Sequence, residues 1–454
     1  MAALHLQRPT RHTAALLLPR TRPWPGITTI AALALAAAFV IGGIGPWTEV
    51  VRDFFGKSDP FWAREDFTAF YAAGSLVRQG AGPHIYDPGW IAFAEHVAAG
   101  RDVGGSGVLY FFNPSFFAGL MSPLSFLSLQ QAYQLWTIGS LALLVFNCWL
   151  IVRLAGDLST VAKTLIILGY LTLYPLTFGL RLGQFSLILQ ASWAGGALLL
   201  NAGRDRLAGL SLAALLIKPE LALPVLLFLA MKRAWGAIAT VGAAALAAVG
   251  ASIALIGVPA ALGYPRFVLG STTAAGNGVA PPLMINWSGL IAATDGSGPS
   301  LARPLAAAML SLATIGAVVV VLRLPSQRRS LPYALQWFAM TMAALLCDPH
   351  LYLQDTVIAV PAAVGVLALA PEPRRVAVGA VLVAGWGVER LALHPNQVWH
   401  VNLFAVYVVA AFSAGVIAAA ATGAEPRAAG ASIEASVVPR PATRAVAPAD
   451  AGGG

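Results

Sequence analysis

Apolar residues fall along this chain in runs of helical length, separated by short segments that hold most of the charge. A helix crossing hydrocarbon needs about 20 mostly apolar residues. By that measure crossings are predicted near 27–45, 131–153, 161–180, 184–201, 234–256, 300–322, 331–347, 351–370, 376–391 and 401–420. The run from Leu207 to Met231 is interrupted by Lys218-Pro219 and again by Pro224, with basic residues at both ends. Two half-length helices that return to the same side fit it best. The run from Phe116 to Leu129, broken by Pro123, is short for a crossing and reads as re-entrant or interfacial.

Composition makes the membrane the solvent. Of 454 residues, 58% are hydrophobic and only 10% charged, and a water-soluble core has no room for so much apolar surface. The net charge of +9 could suggest nucleic acid as a partner, but the basic residues stand singly or in pairs between apolar runs, where topology explains them and a polyanion does not. Cys148 and Cys347 lie in or at the end of apolar runs without metal-like spacing and are expected to be unpaired thiols.

The basic residues also set an orientation. The N-terminal arm with Arg8, Arg11, Arg20 and Arg22 falls on one side with Arg153/Lys163, Arg204/Arg206, Lys232/Arg233, Arg323/Arg328/Arg329 and Arg374/Arg375, and positively charged loops are retained in the cytoplasm. The opposite loops are poor in base, so segment 46–113 is assigned outside. Residues 1–26 form a basic cytoplasmic arm, 27–421 the membrane domain, and 422–454 an Ala, Gly, Pro and Ser-rich tail expected to be disordered. A basic start before an apolar core also suits a secretory signal, but this run is long for a signal core, and a retained anchor is expected.

Polar groups at a membrane boundary are informative because desolvating them is costly. Asp66, Tyr110, Asn113, Arg181, Gln184, Asn286, Asp348, His350 and His394 all fall on the outer face in this topology. Asp66 precedes Phe67, Phe70, Tyr71, Ala73 and Leu76, the spacing of an amphipathic helix lying at the interface; an acid in a first turn also complements the helix dipole. Tyr86-Asp87-Pro88 reads as a turn and scaffold. Arg181-Leu182-Gly183-Gln184 forms a tight outer turn, whose guanidinium and carboxamide could face a phosphate or sugar, or whose Arg181 could snorkel to lipid headgroups. Lys218 sits between two half-helices and must find a partner, an anionic lipid headgroup or carbonyls freed by Pro219. Cys347-Asp348-Pro349-His350, with Asp355 beyond it, lacks diagnostic metal spacing, and no HExxH motif is present; a phosphate-contacting or orienting His350 is favoured over a metal ligand. Gly104-Gly105-Ser106-Gly107 lacks the spacing of a phosphate loop.

In this order the residues resemble glycosyltransferase family 87, membrane enzymes of the C-type glycosyltransferase superfamily that use polyprenyl-phosphate sugars. The resemblance runs from about residue 30 to 420. It rests on Asp66-Phe67-Thr68-Ala69-Phe70-Tyr71-Ala72-Ala73 with Tyr86-Asp87-Pro88, on Tyr110-Phe111-Phe112-Asn113-Pro114 with Ser122-Pro123-Leu124, and on Gly183-Gln184, Lys218-Pro219 and Asp348-Pro349-His350. Two positions depart from the pattern: Asp348 replaces a small residue before Pro-His, and Phe112-Asn113-Pro114 stands where a Tyr-Pro-Pro-like motif is usual.

The resemblance implies an all-α polytopic fold, a bundle of 10–12 transmembrane segments with a short amphipathic-helix outer loop. It implies transfer of a hexose, mannose by analogy, from a polyprenyl-phosphate sugar to a glycan or glycolipid acceptor at the outer face of a bacterial plasma membrane. The first-loop acid, here Asp66, takes the role of catalytic base, with attack opposite the leaving phosphate inverting the anomeric centre. Arg181, Gln184, Lys218, His350, Tyr110, Asn113 and Asp348 are the expected substrate and lipid-phosphate contacts, with no metal ligand and no cofactor beyond the donor itself. Membrane lipids are partners and nucleic acid is not. A transporter or flippase of lipid-linked sugars would share broken helices and intramembrane charge, but should show repeat symmetry, and the sequence has none. A purely structural membrane protein would tolerate replacement of its outer-face polar residues.

Overall fold

The computed structural model describes residues 25–56, 61–103, 108–271, 283–294, 302–391 and 398–424. His394, the Gly104–Gly107 segment, the basic N-terminal arm and the tail beyond Ala424 lie outside them. All regular structure among the described residues is helical. The α-helices are α1 (Pro25–Phe54), α2 (Asp66–Arg78), α3 (Pro88–Ala99), α4 (Ser115–Met121), α5 (Leu129–Leu154), α6 (Thr160–Leu171), α7 (Tyr174–Leu182), α8 (Ser186–Asn201) and α9 (Asp205–Leu212). They continue with α10 (Pro219–Met231), α11 (Trp235–Ser271), α12 (Trp287–Thr294), α13 (Ala302–Arg323), α14 (Leu331–Cys347), α15 (Ala359–Leu369), α16 (Glu372–Leu391) and α17 (Val398–Ala424).

Five helices among the described residues are long and apolar enough to cross a membrane unaided, and the pair α6 and α7, bent by 42°, makes a sixth. This is fewer than the ten runs predicted, because α8, α14 and α15 are shorter and traverse the interior of the bundle, while α16 carries charge at both ends. The first helix extends to Phe54, past the expected end at 45, with Pro46 inside it. The predicted crossing at 351–370 opens as a 3-10 turn, Leu353–Ile358, before α15. Both cysteines are free and half-buried.

Local sequence explains where helices start. Ser128 and Gln131 form a reciprocal capping box at α5, while Ser159, Ser330 and Asp87 cap α6, α14 and α3. Each supplies an oxygen to backbone N–H groups that have no partner within the helix. In α11 Gly257 adopts φ 79° and ψ 161°, a conformation open to glycine, and ends the apolar stretch so that its last part folds over the 110–116 segment. There the Tyr264 hydroxyl donates to the Phe112 carbonyl, 3.0 Å away.

The broken run between Arg204 and Lys232 enters and leaves at one end of the bundle. At its start Asp205 pairs with Arg328 at 2.8 Å; at its end Lys232 Nζ donates to the Leu322 carbonyl and to Ser326 Oγ. Arg329 joins them through the Asn201 carbonyl. Three basic loops therefore meet at one end of the bundle. With 13 residues in α10, the tip at Lys218 lies roughly 20 Å deep at 1.5 Å per residue. From the same end α8 and α14 each run to the opposite end, to Gln184-Phe185-Ser186 and to Asp348.

Candidate active site

At the end away from the basic loops, residues from five separated segments converge. Asp66 opens α2, a helix whose Phe67, Phe70, Ala72, Ala73 and Leu76 are buried. Burial is unbroken from Phe67 to Gly74, so α2 is enclosed by protein on every face where an amphipathic helix lying at the interface was expected, and its N-terminus stands at the site. Asp66 Oδ2 accepts a hydrogen bond from Gln184 Nε2 at 2.5 Å. The carboxylate is closely surrounded by protein yet keeps part of its surface open. Lying outside the membrane-spanning helices, its pKa is raised above the ordinary aspartate value, chiefly by burial; the Gln184 bond opposes the shift, Asp355 adds to it and Lys218 opposes it.

Gln184 is aimed by the turn that ends α7. Gly183 takes a left-handed φ of 68°, Gln184 N–H donates to the Gly179 carbonyl and Gly183 N–H to the Leu180 carbonyl. These are the paired bonds of a Schellman ending, which consume carbonyls that would otherwise be orphaned.

Lys218, at the tip of the broken run, is the centre of a buried ion cluster. Its Nζ stands 2.6 Å from Asp355 Oδ2 and 2.8 Å from Asp348 Oδ2, and donates to the His350 carbonyl at 3.1 Å. Two of the three N–H donors of the ammonium go to Asp355 and the His350 carbonyl, while Asp348 Oδ2 stands at ion-pair distance with no hydrogen bond of its own. Asp355 Oδ1 accepts from Ser186 Oγ at 3.0 Å, which joins the cluster to α8 two residues beyond Gln184. Glu220, in the first turn of α10, is within electrostatic reach of Lys218, Asp348 and Asp355. Acid exceeds base here, so a mobile proton or a bound cationic group would be attracted.

Asp348 and His350 are held by a network of their own. His350 N–H donates to Asp348 Oδ1 at 2.8 Å, and Asn286 Nδ2 donates to the Asp348 carbonyl at 2.7 Å. The imidazole stacks on Phe112 with ring centres 5.1 Å apart, and its Nε2 is buried with no partner. Burial, then the charge of Lys218, lowers its pKa to about 4, so the ring is neutral at physiological pH. Asn113 Nδ2 donates to the Ile217 carbonyl at 3.0 Å, steadying the residue before Lys218, and the Asn113 carbonyl accepts from the Tyr86 hydroxyl. Tyr110 belongs to the aromatic group beside it, 5.9 Å from Phe112 and 6.2 Å from Phe267.

Asp66, Gln184, Lys218, Asp348, His350 and Asn113 are thus brought together, as is Asn286. Arg181 faces elsewhere. Its Nε lies 2.6 Å from Asp53 Oδ2, a second nitrogen 3.3 Å from Glu49 Oε2, and its guanidinium stacks over Phe61. Sequence reasoning noted Asp355 only as a neighbour of His350 and missed Ser186 and Glu220. A buried acid inside an apolar stretch was the available signal for Asp355. Among the described residues, no three His, Cys, Asp or Glu side chains converge on a common metal position.

The family model for glycosyltransferase family 87 matches residues 111–349. The chain belongs to glycosyltransferase family 87. It is a membrane glycosyltransferase. The matched stretch holds Asn113, Gln184, Lys218 and Asp348; Asp66 precedes it and enters the site through Gln184. Comparison with curated proteins and with solved structures returns no match.

Proposed function

We propose that this family 87 glycosyltransferase moves a hexose, mannose by analogy, from a polyprenyl-phosphate sugar to a glycan or glycolipid acceptor at the extracytoplasmic face of a bacterial plasma membrane, with inversion. The observation that carries the reading is the Asp66 carboxylate, oriented through one oxygen by Gln184, partly open, and set beside the Lys218 cluster.

Asp66 takes the proton of the acceptor hydroxyl as that oxygen bonds to the anomeric carbon. The bond from the anomeric carbon to the phosphate oxygen breaks on the opposite face, and the lipid phosphate departs with the electron pair. A carboxylate whose pKa is raised by burial is a stronger base than a free aspartate, which favours this step.

The leaving anion needs positive potential and donors. Lys218 is outnumbered by Asp348, Asp355 and Glu220 and its N–H groups are turned to Asp355 and the His350 carbonyl, so it meets the phosphate only by exchanging one of them for it. His350, in the tautomer protonated at Nε2, offers the unpartnered donor. Arg181 meets the phosphate only by exchanging Asp53 and Glu49 for it. The outward orientation is supported by the meeting of the 201–206, 232 and 322–329 loops at the end opposite Asp66.

The test is transfer by purified, reconstituted protein from a panel of polyprenyl-phosphate sugars, comparing wild type with Asp66→Asn at matched folding. Turnover abolished by the variant supports Asp66 as base. A variant that turns over normally makes Asp66 scaffold, and movement of lipid-linked sugar across the bilayer without transfer would favour a flippase.

A further inference from the structure

Helix α3 packs against α2. Its buried positions are Ile91 and Glu95, one turn apart, while Trp90, Phe93 and Val97 are exposed on the opposite face. An apolar residue suits the second buried position, and a carboxyl there is costly unless it finds partners. Glu95 has one. Its Oε2 accepts the Leu109 N–H at 3.0 Å, and its Oε1 is buried with no hydrogen bond.

That single bond ties α3 to the site. Tyr86, just before α3, donates from its hydroxyl to the Asn113 carbonyl at 2.9 Å. Segment 109–113 is therefore fastened at both ends and runs back along α3 from its second half to its start. The same segment carries Phe112, stacked on the His350 ring, and Asn113, which donates to the Ile217 carbonyl next to Lys218.

The two forms of the Glu95 carboxyl make different demands. Protonated, it leaves one neutral oxygen without a partner; ionised, it buries a charge against a single donor, and relief requires water at Oε1 and hence parting of α3 from the segment. Neighbouring groups are engaged elsewhere: His96 of α3 pairs with Asp102, Arg78 of α2 donates to Ser125 and Tyr71 to the Leu127 carbonyl, while Asp66 stands at the far end of α2 with Gln184. Burial pushes the pKa of Glu95 up to about 8 against the Leu109 bond, and no charge among the described residues adds to either effect.

We infer that Glu95 is a positioning residue for sugar transfer, a latch that fastens segment 109–113 to α3 and so holds Phe112 and Asn113 against the Lys218 cluster. Its part in transfer rests on the proposed function; the latch itself does not. Ionisation opens it.

Glu95→Gln keeps the shape and the bond to Leu109 and cannot ionise. Hydrogen exchange of residues 108–114, corrected for the intrinsic rate, is measured in nanodiscs. Wild type is expected to lose protection about tenfold between about pH 7 and about pH 9.5, and Glu95→Gln less than about twofold. Protection that is the same in both proteins at both pH values overturns the latch. Transfer is then measured over the same range, where kcat/KM of wild type should fall about tenfold and that of Glu95→Gln stay within about twofold. An alkaline fall shared by both proteins, beside exchange that separates them, overturns the positioning role. Should wild type transfer from no donor at all, the functional reading fails and exchange alone decides the latch.

Discussion

Gly183 and Phe67 approach so closely that a Cβ on Gly183 would stand 2.6 Å from the Cβ of Phe67. The contact locks the end of α7 against the start of α2 and sets the register in which Gln184 meets Asp66. Gly183→Ala adds this clash to the left-handed backbone penalty of about 1–2 kcal/mol. A lowered melting temperature and a reduced kcat are expected; an unchanged kcat would show that the Gln184 bond does not set the rate.

Asp66→Asn keeps the shape of the side chain and removes its basicity. A loss of kcat of about a hundredfold to ten-thousandfold is expected, the range for general base catalysis, measured by sugar transfer in reconstituted vesicles. KM for the donor should change little, because the acceptor and not the donor gives up the proton.

Two pH effects follow from burial. The raised pKa of Asp66 moves the acid limb of kcat/KM above the ordinary aspartate range. Folded Asp66 holds its proton more tightly than the unfolded chain does. Its contribution to stability is therefore present below the unfolded value of 3.8 and lost as pH rises through the folded one. Asp66→Asn should accordingly raise the melting temperature at neutral pH, and the gain should shrink in acid.

His350 behaves oppositely. Its folded pKa, about 4, lies below the unfolded 6.5, so stability is lost as pH falls between those values while the unfolded chain takes up the proton. His350→Gln should flatten melting temperature against pH in that window; a persistent slope would assign it to another group.

Lys218 is clamped between Asp348 and Asp355, and truncating it strands buried carboxylates. Lys218→Met is expected to cost about 3–5 kcal/mol. Adding Asp355→Asn should restore part of that loss, read as a non-additive double-mutant cycle by thermal denaturation. Simple additivity would mean that the two charges do not interact in the folded protein.

The membrane class of the protein was legible in the sequence because hydrocarbon demands apolar length, and charge between the runs marks the ends. The break at Lys218-Pro219 was visible for the same reason, as were Asp66, Gln184, Asp348 and His350 as polar groups at an apolar boundary. Number of crossings was not. A helix enclosed by others, as α8 and α14 are, needs neither the length nor the uniform apolarity of one facing lipid.

Which polar groups touch was decided only by tertiary structure. Arg181 and Gln184 stand in one turn, yet Arg181 reaches back to Asp53 at the end of α1 while Gln184 reaches Asp66, because the left-handed Gly183 between them turns the chain. Asp355, a lone acid in an apolar run, becomes the partner of a lysine 137 residues earlier. Sequence fixes where a charge must find compensation, since burial is costly; only the packing of distant helices determines which group supplies it.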